Sequence, residues 1–140
     1  MRPSTAAPNC VNTSTFGKLF SCAADAAIYA QPLWVANVTI QGAAHNVVLA
    51  ATVHNSGYLF DADANPCVTY WKMQLIPSGE KFTNFGDVST ADIFLDIGIV
   101  GTPVIDNTTS TVYLVTRTKT TSGKIGTHQR LHALHLADGT

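Results

Sequence analysis

Three histidines near the carboxyl end of the sequence have a spacing that invites a metal-binding interpretation. His128, His132 and His135 follow the pattern H-x3-H-x2-H. The surrounding residues favour a β-strand, on which His128 and His132 share a face but lie roughly 13 Å apart, at about 3.3 Å per residue. Zinc needs its nitrogen ligands at about 2.0–2.1 Å, and His135 points to the opposite face. The sequence therefore predicts ordinary strand positions here and no metal site.

Two groups of aspartates are the next candidates for a cation site. A calcium ion needs roughly 6–8 oxygen ligands. These aspartates do not follow the spacing of an EF-hand loop, and aspartates in loops commonly form Asx-turns. We therefore expect solvated loops at Asp87, Asp92 and Asp96 in one connection, and at Asp61 and Asp63 at the end of a strand.

The sequence also lacks the motifs of common hydrolases and nucleotide-binding enzymes. It contains no G-x-S-x-G elbow for a nucleophilic serine. Gly98-Ile99-Val100-Gly101 leads into a predicted strand, whereas a dinucleotide-binding glycine loop opens a helix. We expect no catalytic residue, no metal ion and no cofactor.

The composition describes one domain with a polar surface that carries few charges. Charged residues make up 12% of the 140 residues, and the net charge is −1, against a usual charged fraction of about 25%. Binding to nucleic acid or to an acidic membrane through a basic surface is therefore not expected. No apolar run approaches the roughly 18 residues of a membrane span. The amino-terminal residues lack the apolar stretch of a secretory signal.

The elements that must position these residues are short β-strands, because bursts of apolar residues end at Gly, Asn, Pro and Ser. The sequence predicts a four-stranded antiparallel meander, then a connection over 76–96, and then three further strands. The predicted strands are 32–40, 46–53, 58–63 and 69–75 in the first unit and 97–106, 111–119 and 128–136 in the second.

The two units can be aligned as repeats of about 65–75 residues. Tyr29–Pro32 corresponds to Val100–Pro103, and Asn46–Leu49 to Thr111–Leu114. Repeated four-stranded meanders are typical of β-propeller blades. We predict an all-β chain of two blades, the second without its own fourth strand. Its parts are an amino-terminal arm over 1–14, a first blade with a preceding exchange strand over 15–76, a connecting loop over 77–96 and a second blade over 97–140.

Two stretches resemble the blade motif of pyrroloquinoline-quinone-type, or quinoprotein-like, β-propellers. They are Tyr58–Asp63 with the later Trp71, and Leu131–Gly139. The resemblance implies that Trp71, Asp61 and Gly139 dock neighbouring blades, and it favours an extracellular or periplasmic bacterial protein. His135 stands where the motif has its Asp. The adjacent cysteine pair and the calcium-binding residues of the quinone enzymes have no match, so their activity is not implied.

Two blades are too few for a propeller, which has roughly 4–8. Two blades alone leave two apolar outer faces uncovered, so we expect a homo-oligomer built by head-to-tail strand exchange into a ring or filament. The alternatives are a piece of a longer propeller, a fragment or subunit of a quinone-dependent or other propeller enzyme, and a carbohydrate-binding module that uses Trp34 or Trp71. The predicted assembly residues are Phe16, Leu19 and Phe20 on the exchanged strand and Leu131, Ala133 and Leu134 on the last strand.

The three cysteines form no CxxC pair, which argues against a zinc ribbon or a thioredoxin-type site. A bridge between Cys10 and Cys22 and a set of separate thiols both remain open. The meander places Cys22 and Cys67 at opposite ends of one blade. A Cα separation above about 7 Å forbids a bridge, so the sequence argues against a bond between those two.

Overall fold

The computed structural model describes residue 14 and residues 17–88, 92–93, 95–122 and 126–140. Strands make up 49% of the structure and helix 3%, so the predicted all-β class is confirmed. The strands form two antiparallel sheets, one of four strands and one of five. Within the described ranges, no helix is long and apolar enough to cross a membrane.

The first sheet is the four-stranded meander that the sequence predicts, with its strands paired in chain order. The turn between its first two strands has only two residues. Gln41 (φ 51°) and Gly42 (φ 85°) both adopt the left-handed conformation that the tightest hairpin turns require. The strands are β1 (Leu33–Ile40), β2 (Ala43–Ala51), β3 (Ser56–Asp61) and β4 (Thr69–Gln74).

The second sheet differs from the prediction in its first half. The connection over 77–96 contains a strand and a short helix. The predicted strand over 97–106 is interrupted where Gly98 packs tightly on the turn between β2 and β3, and a Cβ there would lie 2.2 Å from the Val53 carbonyl oxygen. The elements are β5 (Glu80–Asn84), α1 (Phe85–Val88), β6 (Asp96–Ile97), β7 (Val104–Asp106), β8 (Thr111–Thr120) and β9 (Thr127–His135).

Strand β8 is the centre of the second sheet. One of its edges pairs with β9 from Thr111 to Lys119. Its other edge pairs with β7 at its beginning and with β5 at its end. The additional strand β5 therefore lies on the opposite side of β8 from β9. No strand in the described part of the chain occupies the outer edge of β9.

The core lies between the two sheets and draws on both. Alternate residues of β2 and β8 face it, as the period of two in a half-buried strand requires. The sheets therefore form one packed body, with the buried apolar residues Ala30, Ile40, Val47, Leu49, Ala51, Leu59 and Trp71 from the first unit and Ile99, Val112, Leu114, Leu134 and Leu136 from the second.

The repeat alignment has a counterpart in space. The aligned residues Gln31 and Thr102 are neighbours, because the Gln31 backbone N–H donates to the Thr102 hydroxyl at 3.3 Å. The order β1–β2–β3 matches β7–β8–β9. Strand β4 continues the first series, whereas the corresponding place beside β9 has no strand among the described residues.

Candidate interaction surfaces

Trp71 joins the two sheets. Its side chain is only 7% exposed, and its indole Nε1–H donates to the Leu136 carbonyl at 2.9 Å. Gly139 lies against the ring, since a Cβ there would be 3.0 Å from it, and Gly139 has a φ of +76°. The structure thus brings together two of the three predicted docking residues. Because Trp71 is buried, it offers no stacking platform to a carbohydrate.

Asp61, the third predicted docking residue, has its partners within the first sheet, namely the loop between β3 and β4, Tyr70 on β4 and His45 on β2. Its carboxylate accepts backbone hydrogen bonds from Asp63 and Ala64, both at 2.8 Å, and one from the Tyr70 hydroxyl. The Tyr70 hydrogen bond holds the pKa of Asp61 below its ordinary value. Burial, together with the Asp61 carboxylate, raises the pKa of Tyr70 to about 12. Asp61 therefore organises a loop of the first sheet.

Asn55 makes a second connection between the sheets that the sequence analysis missed. The residue is fully buried in the turn between β2 and β3, with a φ of 58°. Its amide donates to the Arg117 carbonyl at 2.8 Å and accepts from the Arg117 N–H at 3.3 Å. The Asn55 side chain thus pairs with the backbone of β8 as a neighbouring strand would. It does so between the segment of β8 that pairs with β7 and the segment that pairs with β5. The sequence HNSG marks a turn, but nothing local in it shows what the turn contacts.

An N-terminal segment, residues 17–32, contains no strand and covers the outer face of the first sheet. Cys22 forms a disulfide with Cys67 across a Cα distance of 5.4 Å. The expectation that these two cysteines are too far apart is therefore wrong. Residues 23–32 lie between Cys22 and the start of β1. They can span roughly 33 Å when extended, which is long enough for the chain to cross back over the sheet. Both cysteines pack against Ala50, Tyr58 and Phe60.

Asp25 fastens the same segment at the other end of the sheet. Its carboxylate accepts hydrogen bonds from the hydroxyls of Thr52 at 2.8 Å and Ser56 at 2.5 Å, and lies 3.1 Å from Lys72 Nζ. Burial opposes ionisation, but these partners outweigh it and lower the pKa of Asp25. The sequence feature that marks this residue is a single acidic side chain within AADAA.

The predicted residues of the exchanged strand lie in or before this segment. Leu19 is exposed, and its carbonyl accepts a hydrogen bond from the Asn65 amide at 3.3 Å. Phe16 lies outside the described residues. Phe20 lines an apolar groove of about 240 Å3 on the outer face of the first sheet, which we call the outer groove, together with Cys22, Ile28, Val48, Ala50 and Phe60.

Strand β9 places its three predicted assembly residues on two faces. Leu134 is buried in the core, whereas Leu131, 70% exposed, and Ala133 point outward. Leu131 pairs with Val115 on β8 and Ala133 with Tyr113, and Tyr113 in turn pairs with Val104 on β7. These residues form one exposed patch, the outer apolar face, made of Val104, Tyr113, Val115, Leu131 and Ala133.

The histidines are separated as the strand arrangement predicts. His132 faces inward beside Thr116 at 2.9 Å, and burial followed by the charge of Arg130 lowers its pKa. His128 shares that face and lies 3.9 Å from Glu80, while His135 is on the other face. In the described ranges, no three His, Cys, Asp or Glu residues are placed to hold a metal ion.

Glu80, the sole glutamate of the sequence, ties β5 to β9. Its two oxygens accept hydrogen bonds from Arg130 at 2.6 and 2.7 Å, and it also accepts one from the Thr118 hydroxyl. These partners lower the pKa of Glu80 to about 2. The arrangement is a structural ion pair, since every group in it is already engaged.

Comparison with known proteins gives no relative. No family model, no curated protein and no solved structure matches this chain.

Proposed function

We propose that this protein is a non-catalytic scaffold of propeller-type blades that associates with copies of itself head to tail. The observation that carries the proposal is the outer apolar face beside the unpaired edge of β9. Large contiguous apolar patches on soluble proteins mark interaction sites, and a nine-residue strand edge is a template for another strand. The charged residues that commonly protect such edges are few in this sequence.

The two outer surfaces favour a head-to-tail contact between unlike surfaces. One is the outer apolar face of the second sheet, and the other is the outer groove of the first, with exposed Ile28 at its rim. The two surfaces are both apolar and belong to different sheets, so a contact between them joins unlike surfaces of two copies.

Strand exchange would add residues 15–20 of one copy beside β9 of the next. In the structure Leu19 and Phe20 contact their own first sheet, so the exchange would release them, while the disulfide keeps Cys22 on that sheet. On an extended strand, Phe16 and Phe20 share one face and Leu19 takes the other. Three or four such copies would supply six or eight blades, within the roughly 4–8 blades of propellers.

The propeller assignment itself has two supports. Trp71 of the first unit packs on Gly139 of the second, at the positions the resemblance implies. The aligned residues Gln31 and Thr102 meet at the starts of corresponding strands. An intrachain disulfide also favours the extracellular or periplasmic location, because such bonds persist in oxidising compartments.

The test is the molar mass in solution, measured by light scattering after size-exclusion chromatography. We expect the wild type at micromolar concentration to give a multiple of 14.9 kDa. Leu131→Asp places a charge at the centre of the outer apolar face and should give the monomer. Leu95→Asp is the matched control, because Leu95 is also exposed, lies beside β6 and has a left-handed φ that Asp tolerates. A wild type that is monomeric throughout contradicts the proposal.

The enzyme-subunit alternative predicts a different result. A quinone site would stabilise the folded state when the quinone and calcium are added. We expect the melting temperature to stay unchanged with both present, and no dehydrogenase activity to appear.

A further inference from the structure

A cleft of about 650 Å3 runs along β1 at the seam between the two sheets. One wall is β1 from Trp34 to Thr39. The other wall consists of Asn107 and Ser110, around the turn between β7 and β8, and of His135–Ala137 at the end of β9. This volume lies within the range of roughly 300–1,000 Å3 that is common for small-molecule sites.

The cleft combines one exposed aromatic ring with unused amide groups. Trp34 is 62% exposed, the most exposed aromatic side chain in the described part of the chain. No hydrogen bond within the described ranges engages the side-chain amides of Asn37 or Asn107. Trp34 pairs with Val48, a residue of the outer groove, so its ring stands on the outer side of β1 at the rim of the cleft. An apolar ring at the rim, with free amides along the walls, suits a ligand with one apolar face and many hydroxyl groups.

A bulge in β1 favours a small ligand over a peptide as the occupant of the cleft. The pairing of β1 with β2 shifts register between Val35 and Val38, and Asn37 has a φ of 56°. Bulges interrupt the regular edge that an added peptide strand needs, and they redirect side chains. The bulge therefore disfavours strand addition and presents the Asn37 side chain as a ligand contact.

The charges of the cleft restrict the ligand further. Among the described residues, its lining contains no Asp, Glu, Lys or Arg, and the only ionisable group there is His135, whose Nδ1 lies 3.3 Å from the Asp138 carboxylate. The geometry points to a neutral oligosaccharide that stacks the flat face of a pyranose ring on Trp34 and bonds its hydroxyls to Asn37 and Asn107. Equatorial β-1,4-linked sugars present the flattest such face. This site does not depend on self-association.

Tryptophan fluorescence tests the site directly, because the sequence has two tryptophans and Trp71 is buried. We expect cellotetraose or chitotetraose to produce a saturable change, with the affinity confirmed by calorimetry. Trp34→Ala should weaken the binding measured by calorimetry roughly tenfold or more, and Asn107→Ala should weaken it several-fold. Tyr29→Ala removes an exposed aromatic side chain outside the cleft and should bind like the wild type.

Four results would overturn the inference. They are the absence of saturable binding of either sugar at millimolar concentration, wild-type affinity in both Trp34→Ala and Asn107→Ala, tighter binding of an anionic oligogalacturonide, and binding of an extended peptide in the same cleft. Light scattering on Trp34→Ala adds a separate readout. A lower molar mass with unchanged sugar binding would assign Trp34 to the contact between copies.

Discussion

Gly139 shows how a single residue can carry the packing of two sheets. An alanine there meets two obstacles, since the φ of +76° disfavours any side chain and the new Cβ would press on the Trp71 ring at 3.0 Å. We expect Gly139→Ala to lower the free energy of unfolding by about 2–4 kcal/mol, measured by urea denaturation.

Two other glycines provide matched controls for that experiment. Gly101→Ala meets nothing within 4 Å and has no left-handed φ, so it should be neutral or slightly stabilising. Gly42→Ala has open space but a φ of +85°, and should cost about 1–2 kcal/mol. Equal losses at Gly42 and Gly139 would show that the Trp71 contact contributes nothing.

The ion pair of Glu80 with Arg130 predicts a pH dependence of stability. The folded pKa of about 2 lies below the ordinary 4.5, so this contribution is present above about pH 4.5 and is lost as the pH falls towards 2. Glu80→Gln removes the titration. The difference in unfolding free energy between wild type and variant should therefore shrink over that range.

Urea denaturation at a series of pH values checks this expectation. Arg130→Lys keeps the charge but cannot form the two parallel hydrogen bonds, and it should give an intermediate profile. If the difference in unfolding free energy between wild type and Glu80→Gln stays constant down to about pH 2, the ion pair does not control the pKa of Glu80.

At the scale of elements, the turn between β2 and β3 connects the sheets through Asn55. Asn55→Gly permits the same backbone conformation but removes both hydrogen bonds to Arg117. Leaving those backbone groups unpaired should cost about 1–3 kcal/mol in urea unfolding. Gln41→Gly changes another left-handed residue, in an exposed turn, and should cause no comparable loss. Similar losses of unfolding free energy in Asn55→Gly and Gln41→Gly would contradict the bridging role of Asn55.

The N-terminal segment is the other element held by distant partners. The disulfide closes a loop with a sequence separation of 45, and replacing both Cys22 and Cys67 by Ser should lower the free energy of unfolding by about 2–4 kcal/mol. Asp25 still holds the other end of the segment, so we expect the native sheet to persist. Circular dichroism measures whether the sheet persists, and urea denaturation measures the loss of unfolding free energy. An unchanged unfolding midpoint would contradict the expected loss.

At the scale of the whole molecule, self-association makes stability depend on concentration. Because only folded chains assemble, the melting temperature of the wild type should rise as the protein concentration is raised from roughly 1 to 100 µM. The melting temperature of Leu131→Asp should stay the same over this range of protein concentration. A wild type whose melting temperature is independent of concentration would argue against assembly at these concentrations.

The sequence was most informative where neighbouring residues decide the structure. The strands β1–β4 and β8–β9 follow from alternating apolar residues and turn-forming Gly and Asn. Strand β5 was missed because EKFTN is short and polar, and Thr83 is buried through a hydrogen bond to the distant Ile97 carbonyl. The long strand predicted over 97–106 is broken where Gly98 packs against the distant turn between β2 and β3.

The sequence by itself determined the all-β class, the meander of the first sheet and the separation of the three histidines, since period and turn chemistry are local properties. Only the tertiary structure decided the disulfide partner of Cys22, the clamp at Asp25, the bridge from Asn55 and the contact of Trp71 with Gly139. The hydrogen bonds of these last features join residues 27 to 65 positions apart. Such pairs meet only when whole sheets pack, because their distance depends on every turn and bulge between them.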